Sequence, residues 1–199
     1  MNRTRFALVV FTFALLTAVA AVASAAPSVG TFEVNLGYAK SSTEVAPATA
    51  PTDPMGGSLS FGAGYFRSIA PTTSWGVEAS YDNLGKVDWN TGTATATSSA
   101  HVFRVTPEFR INFGAPVGPS FFAQGGAGLY SISSKIESTD TAFAGDGSAS
   151  KFGFNVGAGM GFPVGPKTKM NIQGNYHSIS TQGQSTNYLG IRAGLGFSL

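Results

Sequence analysis

The sequence predicts an all-β protein, a closed eight-stranded antiparallel up-and-down transmembrane β-barrel that follows a cleaved N-terminal signal peptide. Three observations predict it. From residue 28 onward apolar and polar residues alternate with period two in segment after segment, and no helical period survives. Charged residues make up only 11% of the chain, against roughly 25% in an average soluble domain, too few to coat a water-facing surface. The links between the alternating segments are short and long in turn.

The first 25 residues read as a secretory signal. Arg3 and Arg5 form a positive start, Phe6 to Val22 an apolar stretch, and Ala23-Ser24-Ala25 a small-residue cleavage site. An uncleaved membrane anchor is the alternative reading, since the apolar run approaches the ~18 residues of a spanning helix. Cleavage after Ala25 divides the chain into a signal peptide, 1–25, and a barrel domain, 26–199. Removing Arg3 and Arg5 leaves 10 cations against 10 carboxylates, a balance that implies no nucleic-acid partner. The absence of Cys excludes a lipoprotein anchor at the cleavage site, disulfides, thiol nucleophiles and thiolate metal sites.

Eight alternating segments follow. Their apolar members begin with Phe32, Val34, Leu36 and Tyr38, then Leu59, Phe61, Ala63 and Tyr65, then Trp75, Val77, Ala79 and Tyr81. The fourth segment carries Phe103, Val105, Phe109, Ile111 and Phe113, and the fifth Phe121, Ala123, Ala127 and Leu129. The sixth runs from Phe152 to Phe162, the seventh holds Met170, Ile172 and Tyr176, and the last runs from Leu189 to Leu199. Each has about the 9–11 residues that a tilted strand needs to cross a bilayer, and an even count lets antiparallel pairing close without an edge.

Short links rich in Pro and Gly, 69–74, 114–119 and 163–168, suit tight turns. The others, 40–56, 83–100, 131–150 and a shorter 179–186, are polar and read as loops. Barrels of the bacterial outer membrane have short periplasmic turns and longer extracellular loops, so four extracellular loops and two periplasmic termini are expected. With that orientation Phe32, Trp75, Phe113, Phe121, Phe162 and Phe197 fall near the periplasmic strand ends. Tyr38, Phe61, Tyr81, Phe103, Phe152 and Tyr176 fall near the outer ends. Two aromatic girdles at the bilayer interfaces are therefore predicted.

The opposite face of each strand is small and polar, and an eight-strand barrel has room inside only for packed side chains. Its charges must then pair. A lumen polar network of Glu33, Glu78, Asp82, Arg104, Glu108, Arg110 and Arg192 is expected, with Glu78 beside Arg110, Asp82 beside Arg104, and Glu33 beside Arg192.

These patterns, together with the closing stretch Asn187-Tyr188-Leu189-Gly190-Ile191-Arg192-Ala193-Gly194-Leu195-Gly196-Phe197-Ser198-Leu199, resemble the bacterial outer-membrane β-barrel domain family, the eight-strand group that includes the OmpX proteins and the membrane domain of OmpA. The resemblance covers Thr31 to Leu199 and is to the barrel alone. It implies a monomer in the outer membrane with lipid around it, assembled by the barrel-assembly machinery through the last strand. That family usually ends on an aromatic residue, whereas here Leu199 is last and Phe197 stands two before it.

Chemistry-bearing motifs are few. His101 and His177 lie on different strands and neither has a second His at zinc-site spacing, so no metal or cofactor is expected. Gly157-Ala158-Gly159-Met160-Gly161 alternates within a strand and precedes no helix, unlike a phosphate loop, and Asp140 with Asp146 lacks calcium-loop spacing. Outer-membrane lipid A deacylases place Ser two residues after His, and here that position is Ile179. His177 has inward parity and reads as a hydrogen-bonding lumen residue. The expected function is a non-enzymatic outer-membrane protein with a structural or surface-interaction role, its loops facing an unidentified extracellular ligand. The alternatives are a lipid-modifying enzyme or narrow pore, and a soluble periplasmic barrel of lipocalin type, whose outer face would carry too few charges for solubility.

Overall fold

The computed structural model describes residues 30–42, 56–90, 95–114, 118–139, 144–181 and 184–199. The signal peptide at 1–25 and most of the first long loop, 43–55, lie outside the described residues. The strands are β1 (Gly30–Ser41), β2 (Ser58–Ala70), β3 (Thr73–Asn90), β4 (Thr95–Gly114), β5 (Ser120–Ser138), β6 (Gly145–Gly165), β7 (Thr168–Thr181) and β8 (Gln184–Ser198). They pair antiparallel in chain order and β8 returns to β1, so the sheet is a closed barrel without an edge. Among the described residues none is helical.

Period-two patterning decides which face each residue takes. Along β1, Glu33, Asn35, Ala39 and Ser41 are buried while Val34, Leu36 and Tyr38 are exposed; along β7, Asn171, Gln173, Asn175, His177 and Ile179 are buried while Met170, Ile172 and Tyr176 are exposed. Apart from inward aromatic and aliphatic residues such as Phe66, Phe122 and Ile179, the apolar side of the strands faces outward and the polar side inward, the inverse of a soluble barrel and the arrangement a lipid solvent demands.

Two of the predicted loops are largely strand. β3 continues past Tyr81 to Asn90 and pairs with β4 from Thr95 onward, and β5 and β6 continue their pairing as far as Ile136 and Gly145. Tyr81 and Phe103 are therefore opposite partners in mid-strand, not strand ends. The apolar alternation stops where the strands leave the lipid, but backbone pairing does not need it: Ser and Thr continue the ladder in water. The last hairpin is tighter than the predicted 179–186, since β7 runs to Thr181 and β8 starts at Gln184.

A register shift separates Asn83 and Gly85 on β3, opposite His101 and Ala100. Gly85 has φ +88°, and a Cβ there would stand 2.6 Å from the backbone nitrogen of Gly57. The bulge adds one residue to β3, so buried Leu84 and half-buried Val87 both reach the core although their parities differ.

Candidate functional site

The lumen is filled in three layers. Nearest the end that carries both chain ends of the barrel, Arg110 on β4 makes a two-pronged ion pair with Glu33 on β1, at 2.6 and 3.0 Å. Its guanidinium lies between two rings, 3.9 Å from the centroid of Phe66 and 4.3 Å from that of Phe122, and its Nε donates to Gln124 Oε1 at 3.1 Å. A cavity of about 340 Å³ opens at this mouth, lined in part by Glu33, Phe66, Arg110, Phe122, Lys169 and Asn171.

The middle layer is the densest in charge. Arg192 on β8 donates to Glu78 Oε1 at 2.7 Å, to Asp82 Oδ1 at 2.6 Å, to Ser60 Oγ at 2.7 Å and to Ser80 Oγ at 3.2 Å. Arg104 contacts Glu78, donates to Thr106 Oγ1 at 2.6 Å and to Glu108 Oε1 at 3.3 Å, and its Nε stands 3.7 Å from Asp82. Asn155 on β6 donates to Glu108 Oε1 at 2.7 Å. All of these charged side chains are nearly inaccessible. Charges so placed are tolerable only when paired and hydrogen-bonded, because removing one partner leaves the other desolvated without compensation.

Above them, Tyr188 donates to Asp82 Oδ2 at 2.9 Å and stacks on His177 with ring centroids 4.3 Å apart. His177 Nδ1 lies 3.3 Å from the Tyr130 hydroxyl. Leu84, Ala39, Ala100, Val102 and Ile179 pack with the two tyrosines into an apolar plug. Interior amides of Asn35, Asn171, Gln173 and Asn175 include atoms with no partner within the protein, the chemistry that holds ordered water.

All seven residues of the expected polar network are buried in the lumen, but two expected pairings are different ones. Arg110 pairs with Glu33 instead of Glu78, and Arg192 pairs with Glu78 and Asp82 instead of Glu33. In the β3–β4 ladder Glu78 stands opposite Thr106, and Arg110 opposite Ser74. Depth counted from the aromatic strand ends ignores this stagger. An eight-strand lumen is also narrow enough for an arginine to reach a strand that is not its neighbour. Asp82 does lie near Arg104, at 3.7 Å.

The expected girdle residues face outward. Phe32 is opposite Phe197, Phe113 opposite Phe121, Tyr38 opposite Leu59, and Phe61, Tyr81 and Phe103 form one row across three strands. Trp75, Phe152 and Tyr176 are exposed, and Phe162 is half-buried. Sequence reasoning missed Phe66 and Phe122, the rings that hold Arg110. The signal was present: Tyr65-Phe66 and Phe121-Phe122 are adjacent aromatics, and on a strand one of each pair must face inward. Among the described residues no group of three His, Asp or Glu is placed to hold a metal.

An apolar exterior, a closed antiparallel ring and an interior of paired charges define a transmembrane β-barrel of eight strands with a filled lumen. The chain belongs to the outer membrane protein beta-barrel domain family, which matches residues 11–198, and it is a protein of the bacterial outer membrane. It matches no curated protein. Among solved structures it is similar to Neisserial surface protein A, with 12% identity, a TM-score of 0.60, and 85% of this chain and 97% of that one covered. It is also similar to the N-terminal β-barrel domain of OprF from Pseudomonas aeruginosa, with 12% identity, a TM-score of 0.51 and coverage of 85% and 97%. The outer membrane protease OmpT of Escherichia coli shares 10% identity at a TM-score of 0.50, with coverage of 87% and 97%. Likeness at these identities is one of fold.

Proposed function

We propose that this protein is a non-enzymatic, monomeric outer-membrane barrel with a structural or surface-interaction role, exerted through the hairpins that project beyond the bilayer. The observation that carries this reading is the filled lumen. Arg104 and Arg192 tie β4 and β8 to the carboxylates of β3, and the Tyr130, His177, Tyr188 and Ile179 layer covers them. Such an interior supports a rigid scaffold more readily than a pore. The one imidazole with inward parity, His177, is fully buried and stacked on Tyr188, out of reach of a substrate. The β3–β4 and β5–β6 hairpins extend as polar, paired ribbons, a firmer platform for contact than unstructured loops. In this reading the chain ends face the periplasm, lipid surrounds the apolar face, and β8 carries the signal read by the barrel-assembly machinery.

The test compares the wild type with a variant whose β3–β4 and β5–β6 hairpins are trimmed back to the Val87–Ser98 and Ser134–Gly147 pairs, beyond the buried plug. The trimmed barrel is expected to fold and reach the outer membrane but to lose surface binding or envelope resistance. Purified protein that hydrolyses lipid or peptide, or that passes large stable currents in a planar bilayer, would overturn the reading.

A further inference from the structure

The lipid-facing surface of β1 to β4 is not uniform. Sheet register aligns Val34, Ala63, Ala79 and Val105 in one transverse row. On one side runs Leu36, Phe61, Tyr81 and Phe103, and on the other Phe32, Tyr65 and Val77. Small side chains between two bulky rows make a groove of about 450 Å³. Ala63, Tyr65, Val77, Ala79, Tyr81 and Phe103 are only half exposed there, whereas Leu129, Phe152 and Val156 on the other side of the barrel stand 66%, 62% and 54% exposed.

The aromatic wall on one flank is continuous over Phe61, Tyr81 and Phe103, with Phe61 and Tyr81 stacked at 5.3 Å. The other flank drops at Val77. Beyond that gap stand Trp75 and, directly opposite it on β2, Arg67, which shares the outward parity of Ala63 and Tyr65. The groove therefore leads from an apolar floor to a cation beside an interfacial tryptophan.

We propose that this groove binds one acyl chain of a glycerophospholipid whose phosphate meets Arg67. Three strand spacings make the groove roughly 14 Å long. With its two flanking rows four residues apart along each strand, its footprint is on the order of 200 Å², far smaller than the ~800 Å² per partner of a stable protein interface, so a second copy of the chain is a poor occupant. Hydrocarbon is the solvent at this face, and each methylene that leaves bulk lipid for a fitted groove gains contacts that a flat barrel wall does not offer. Arg67 adds what bulk hydrocarbon lacks, a donor set matched to phosphate. Behind the wall Tyr81 makes a second stack with His101, also at 5.3 Å, which braces the closed flank, so the open flank at Val77 is the side from which the chain enters.

Native mass spectrometry of the barrel in detergent with palmitoyl-oleoyl phosphatidylethanolamine tests this. One lipid is expected to stay bound to the wild type and to be retained at least tenfold less by Ala63→Leu/Ala79→Leu. Ala158→Leu, on the lipid face of β6, is expected to match the wild type. Arg67→Gln is expected to lose retention of the phospholipid but not of the corresponding diacylglycerol. The single substitution Ala79→Leu serves if the double variant does not fold. Equal retention in the filled and unfilled barrels, an equal loss in Ala158→Leu, or a wild-type dimer abolished by the filling substitutions would each overturn the proposal. Diacylglycerol retention that falls together with the phospholipid in Arg67→Gln would overturn the assignment of the phosphate.

Discussion

Arg192 Nη2 on β8 and Asp82 Oδ1 on β3 stand 2.6 Å apart across the lumen, joining two strands that are not neighbours in the ring. Through the same guanidinium β8 also reaches Ser60 on β2 and Glu78 on β3. The seam where the last strand meets the first is therefore tied by side chains as well as by the β1–β8 ladder.

Breaking that pair from one side is expected to be costly. Asp82→Asn or Arg192→Met should each destabilise the barrel by about 3–5 kcal/mol, because the surviving charge stays buried. The double variant should lose much less than the sum. Refolding titrations in lipid measure the coupling, and a value below about 0.5 kcal/mol would show the two sites to be independent.

A second cycle tests the corrected pairing. Glu33→Gln with Arg110→Met is expected to show a larger coupling than Glu78→Gln with Arg110→Met, since Arg110 makes its two-pronged contact with Glu33. The reverse order in the same refolding assay would restore the pairing expected from strand-end counting.

The Tyr188 hydroxyl is separable from its ring. Tyr188→Phe keeps the stack on His177 and removes only the hydrogen bond to Asp82, which should cost about 1.5–3 kcal/mol for a bond to a charged group. Tyr188→Ala should cost more, as it also empties a site in the plug. Equal losses in thermal denaturation would mean that the ring contributes nothing beyond its hydroxyl, and an unchanged Tyr188→Phe would mean that the hydrogen bond contributes nothing.

The facing assignment has its own test. Val156 is outward and 54% exposed, and Val156→Arg should cost about 2–4 kcal/mol in a bilayer if it lies at mid-depth. Thr95, exposed at the tip of the β3–β4 hairpin, should accept Arg with almost no change. Folding yields in lipid vesicles compare the two.

At the tip of β5, Lys135 Nζ lies 2.5 Å from Glu137 Oε1. Its hydrogen bond and charge hold the Glu137 carboxyl below the ordinary carboxylate range. The sign follows: any contribution of this fully exposed pair is present above the usual carboxylate pKa and fades as pH falls through the lowered one. In Lys135→Met the Glu137 titration followed by NMR should move upward, with little change in melting temperature and a smaller shift at high salt.

The eight strands, their number and facing, and the burial of all seven interior charges were determined by the sequence itself. Alternation of lipid-loving and small polar residues is imposed residue by residue: a Val156 and an Asn155 on the same strand cannot exchange faces without placing an amide in lipid. The ends of β3 to β6 were not legible in that way, because their outer halves lie in water, where Ser and Thr ladders carry no apolar rhythm. Only the tertiary structure decided which charges pair. Strand stagger sets the height of Glu78 against Arg104 instead of Arg110, and the width of the closed ring lets Arg192 and Arg110 cross to β3 and β1. The groove over Ala63 and Ala79 has the same origin. Those residues are separated by the β2–β3 turn and become a row only when the register of the ladder brings them side by side, a relation between strands that periodicity within one strand does not contain.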